Sequence, residues 1–150
     1  MKNIIIVLSV TLLWFGGCKP SNHKIKNKDP FYAKDGLLDL ISIPLIKPYK
    51  LIKDRDTAWS LELQTTNLLT LSIDNVQGLD TVAGKILIYS KGGTEVKNIQ
   101  YDELWFIIDP DSLQERSYNS LEAFNKALIK ENVSNVNFIK PDAFYNKFRK

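Results

Sequence analysis

The residues best suited to chemistry in this chain are acidic pairs. Asp54 stands two positions from Asp56, Asp109 two from Asp111, and Asp102 directly beside Glu103. Paired carboxylates serve glycoside hydrolysis, and clustered ones hold calcium. Both Asp-x-Asp pairs fall where the pattern predicts turns, and aspartate in turns binds backbone amides. The turn role is therefore the expectation for both. Two other chemistries lack their residues. The chain has one histidine, His23, and one cysteine, Cys18, so residues 37–150 contain neither. That removes cysteine nucleophiles, Ser–His arrangements and Cys/His zinc sites from this region. No catalytic residue, cofactor site or metal site is expected.

Gly92 and Gly93 lack the Gly-Lys-Ser/Thr context of a phosphate loop and read instead as a hairpin turn within "KGGT". Trp59 and Trp105 lie among Leu and Ile on predicted strands. Core packing is their first reading, and an aromatic platform for a glycan or peptide is the second. Tyr49, Tyr89, Tyr101, Tyr118 and Tyr145 divide the same way. A net charge of +3 over 150 residues is too weak to announce a nucleic-acid partner.

The elements that must position these side chains are mainly strands. "LLDLISIPLIKPYKLI" (37–52) reads as extended, with Pro44 and Pro48 favouring a sheet edge. "AWSLELQT" alternates Trp59, Leu61 and Leu63 against polar residues, and "LLTLSID" repeats this with Leu69, Leu71 and Ile73. "NVQGLDTVAG" reads as a connection. "KILIYSK" is a strand, "EVKNIQ" its return after the glycine turn, and "ELWFIID" the expected sheet centre. "YNSLEAFNKALIKEN" predicts a helix capped by Asn119, with Glu122 in a capping box and Leu121, Phe124 and Leu128 on one face. "VNFIK" reads as a last short strand, and "PDAFYNKF" as a terminal helical turn opened by Pro141. The expected fold is α+β: one antiparallel sheet of five to seven strands, with a C-terminal helix packed on a face.

The first residues carry a different message. "MKN" is a short positive segment, and "IIIVLSVTLLWF" (4–15) is a twelve-residue apolar run. As a helix it spans roughly 18 Å, against about 30 Å of bilayer core. It fits a signal-peptide core better than a membrane span. Phe15, Gly16 and Gly17 then lead into Cys18. This resembles the lipobox of bacterial lipoproteins, with Phe15 where that family prefers leucine. The resemblance implies cleavage before Cys18 and acylation of Cys18. The alternative is an ordinary signal peptide or anchor with an incidental cysteine. Expected boundaries are a signal peptide over 1–17, a lipidated tether over 18–36 and one globular domain over 37–150. The tether's lysines and asparagines resemble envelope lipoproteins in which an acidic run after the cysteine marks surface export. No such run follows Cys18, which implies an outer-membrane position facing the periplasm. "ELWFIIDP" with "YNSLEAFNKALIKE" also resembles the C-terminal half of small uncharacterised bacterial lipoproteins.

The expected function is a non-enzymatic binding or interaction module of the cell envelope. It is held to the membrane by its lipid and partnered by an envelope protein or a wall-derived ligand. An immunity or inhibitor protein is one concrete form. The competing reading is a small carboxylate-dependent cell-wall hydrolase.

Overall fold

The structure, a computed structural model, describes residue 31 and residues 40–54 and 57–149. Among the described residues, eight strands form two four-stranded antiparallel sheets rather than one. The first sheet holds β1 (Leu40–Pro44), β2 (Lys50–Asp54), β3 (Ser60–Glu62) and β4 (Ser72–Ile73). The second holds β5 (Val76–Val82), β6 (Lys85–Val96), β7 (Ile99–Asp109) and β8 (Gln114–Tyr118). Each is a meander, with every strand beside its sequence neighbour. Asn75, at φ 52°, separates β4 from β5 and re-aims the chain from one sheet to the other. Alternation reports which residues are buried, not which sheet buries them, so the single-sheet expectation fails at this point.

Cross-strand register explains the packing. Ile43, Leu51, Leu61 and Ile73 form one row across the first sheet. Ile86 pairs with Ile108 and Ile88 with Phe106 in the second. All eight are fully buried in one cluster between the sheets. Leu87 and Ile107 point to the opposite face, since adjacent strand residues alternate sides. There they meet Phe124 and Leu128 of α1 (Leu121–Lys130). The continuous apolar runs of β6 and β7 thus follow from burial on both faces. Each fully buried Leu or Ile contributes roughly 1.5–3 kcal/mol.

Several local expectations need correction. "EVKNIQ" is not the return from a glycine turn. Gly92 and Gly93 sit within β6, at φ 105° and 92°, where the register with β7 shifts by a bulge between Lys91 and Thr94. The hairpin turn comes later, at Lys97 and Asn98, both with positive φ, as a two-residue primed turn requires. "NVQGLDTVAG" is β5 followed by a similar turn at Ala83 and Gly84. The stretch 37–52 contains a hairpin, β1 to β2, and not one strand. Pro44 does lie in an edge strand.

The α1 cap is Ser120, one residue after the expected Asn119. Its extended backbone aims Oγ at the Ala123 amide, 3.2 Å away. Leu121 is half exposed and stays off the buried face. "VNFIK" contributes only a bridge, Ile139 to Leu79. Pro141 opens α2 (Pro141–Arg149), longer than a single turn. Phe144, Tyr145 and Phe148 of α2 pack against the inter-sheet core. Trp59 Nε1 donates to Asp142 at 2.9 Å and fastens this helix near the Leu40–Asp54 end of the first sheet.

Candidate interaction surface

The opposite end of the sandwich is built around a buried carboxylate. Glu115 pairs across strands with the inward-facing Ile108, so its side chain enters the space between the sheets. It is 3% exposed. A carboxylate stripped of water at such a site needs donors. Tyr49 Oη donates to Oε1 at 2.8 Å and the Gln64 amide donates to it at 2.7 Å. The Thr65 amide and hydroxyl both donate to Oε2. Tyr49 is itself fully buried. Burial and the adjacent carboxylate hold its hydroxyl proton well beyond the ordinary tyrosine range. One acidic side chain of the second sheet thereby fixes the start of the β3–β4 connection, which belongs to the first.

That connection presents apolar side chains to solvent. Leu68 is buried, but Leu69 is 61% and Leu71 79% exposed. The expectation that "LLTLSID" is a strand burying both fails because Leu69 adopts φ 53°. The alternation is broken there, and only Ser72–Ile73 remains as strand. A leucine in this region costs roughly 1–2 kcal/mol. Its neighbours hold it in place. The Leu69 amide donates to Thr66 O at 2.9 Å, the Leu63 amide to Leu71 O at 2.9 Å, and the Lys97 amide to Leu68 O at 2.8 Å. The last bond docks the connection on the β6–β7 turn. Thr66, Leu69, Thr70, Leu71 and Asn98 line an open depression of about 370 Å³. Ile99, 54% exposed, follows directly after Asn98.

Two further depressions, of about 270 and 350 Å³, lie along β8. Both are lined by Lys97, Ser117 and Tyr118. Asn67 and Leu68 form a wall of the second. The apolar lip and both β8 depressions therefore share the β6–β7 turn as a wall, and the lip and the second depression also share the β3–β4 connection.

The acidic residues singled out in the sequence are engaged elsewhere. Asp109 accepts from the amides of Asp111 and Ser112 and pairs with Lys85 at 3.1 Å. It is a turn residue with an ion-pair partner, and Lys85 holds its carboxyl below the usual range. Asp54 ends β2, and its carbonyl accepts from Thr57. Glu103 takes Lys91 at 2.8 Å and the Tyr89 hydroxyl at 3.0 Å. Asp102 is exposed. Trp59 is in the core, with Tyr145 tilted against it at 6.0 Å. Trp105 stacks on Tyr89 at 5.3 Å and packs on the α1 side of the second sheet. Cys18, His23 and Asp56 lie outside the described residues, as do the signal and tether segments apart from Phe31.

Among the described residues no three His, Cys, Asp or Glu side chains group as metal ligands, and no helix is long and apolar enough to cross a membrane. No protein-family model, curated protein or solved structure matches the chain.

Proposed function

We propose that the protein is a lipid-anchored envelope protein whose body binds another polypeptide without catalysis, as an immunity or inhibitor protein does. The observation that carries this reading is the exposed pair Leu69 and Leu71, the first of them in left-handed backbone. Left-handed backbone at a leucine opposes folding, and apolar side chains left in solvent contribute nothing to it. Local strain of this kind concentrates where a chain has work other than stability. The Glu115 clamp and the Lys97–Leu68 bond supply the rigid support that an interaction surface needs.

Acyl chains contribute about 0.8 kcal/mol per buried methylene, so two or three of them hold the protein on its membrane.

Two measurements test the two halves of the reading. Labelled fatty acid is expected to enter the wild type and not Cys18→Ser; incorporation into neither refutes the anchor. Leu69→Ser combined with Leu71→Ser is expected to abolish the host phenotype of the protein with its thermal unfolding preserved. A full phenotype in that variant refutes the binding role of the lip.

A further inference from the structure

A free sheet edge beside these depressions suggests how a partner chain is gripped. The two sheets have four edges, and three are poorer templates for a strand. β1 carries Pro44, which has no amide hydrogen. β4 is two residues long. β5 is met by Ile139, through reciprocal backbone bonds with Leu79 of 3.0 and 2.9 Å. β8 is different. It offers five residues, pairs with β7 on one side, and has no backbone partner on the other among the described residues. The nearby amides of Gln64 and Thr65 turn to the Glu115 side chain instead. The wall of Asn67 and Leu68 is held on the β6–β7 turn by the Lys97 amide, and a depression remains between that wall and the edge.

We infer that β8 receives an extended, acidic segment of a partner polypeptide as a fifth strand of the second sheet. A row of unpaired N–H and C=O groups is complementary to another strand. The depressions along β8 take the alternating side chains of that strand. Charge selects the sign of the partner. Lys97 lines both depressions, whereas Arg116, which lines one of them, already faces the Glu131 carboxylate, and Glu115 is buried and bonded. This inference rests on the binding reading above and names the partner's conformation and charge.

The probe is a displayed library of random ten-residue peptides, selected on the full chain in detergent micelles. Recovered peptides are expected to be rich in Asp and Glu and to slow amide exchange within Gln114–Tyr118. Lys97→Glu is expected to weaken them at least tenfold with unfolding unchanged, and Ser117→Pro to weaken them by perturbing the edge itself. Peptides that slow exchange elsewhere, that bind Lys97→Glu equally well, or that are never recovered overturn the inference. So does β8 protection that rises with protein concentration in the absence of peptide, which marks self-pairing. Protection confined to the Leu69–Leu71 lip defeats the edge alone and leaves the binding reading standing.

Discussion

The hydroxyl of Tyr49 donates to the carboxylate of Glu115 across the interior, joining positions 66 residues apart and tying the β1–β2 hairpin to the last strand of the other sheet. The same carboxylate takes the Gln64 and Thr65 amides, so one side chain fixes three segments.

Removing either end of this contact should have unequal effects. Tyr49→Phe takes away one of several donors and is expected to cost about 1–2 kcal/mol. Glu115→Ala leaves every donor without an acceptor and opens a buried space, so about 3–5 kcal/mol is expected. Urea denaturation measures both. Hydrogen exchange in the Glu115→Ala protein should quicken at residues 64–71 before it does in β6 and β7.

Tyr49 also predicts an alkaline limit. Its folded-state value is raised, first by burial and then by the hydrogen bond to Glu115. The stabilisation is complete below the unfolded value of roughly 10 and is lost as pH rises above it. Unfolding free energy is expected to fall above about pH 10 in the wild type and less steeply in Tyr49→Phe.

An acid limit follows from the ion network that fastens α1. Glu131 lies beside Arg116 and takes Lys85 at 3.2 Å, and Lys85 also holds Asp109. Arg116 first, and then Lys85, outweigh the effect of burial and lower the Glu131 pKa; Lys85 lowers that of Asp109. Stabilisation from both carboxylates is present above their unfolded values of roughly 4 and disappears as pH falls through the lower folded values. Glu131→Gln should cost about 1 kcal/mol at pH 7 and flatten the decline of stability between pH 5 and 3. An unchanged slope would remove the network from the account.

Backbone strain gives the cleanest separation of stability from binding. Gly93, at φ 92°, permits the bulge in β6, and Gly93→Ala is expected to lose about 1–3 kcal/mol. Leu69 is the reverse case. Leu69→Gly relieves a left-handed leucine and removes exposed apolar area, so its melting temperature should hold or rise while partner binding falls. Differential scanning calorimetry with a binding assay measures the pair.

The sequence carried the local elements of this fold better than their assembly. The apolar runs of β6 and β7 and the Phe124–Leu128 helix face were readable because periodicity records burial directly. The division into two sheets was not, since it depends on Asn75 turning the chain. The turn at Lys97–Asn98 was hidden by the more conspicuous glycines at 92 and 93, which serve a bulge. The interaction surface was almost illegible. "QERSY" carries no apolar alternation, and nothing local marks Glu115 as buried, because its donors come from positions 49, 64 and 65. Leu69 and Leu71 had the spacing of core residues, and only the backbone angle at Leu69 places them outside.

The most direct test of the central claim compares two leucine-like positions of matched exposure. Leu71 on the lip is 79% exposed and Ile129 on α1 is 75% exposed. A photo-crosslinking amino acid placed at each, in the full chain expressed in its native host, samples the two surfaces equally. The account predicts one discrete polypeptide adduct from position 71 and none from 129. Equal adducts from both, or none from 71, would contradict it.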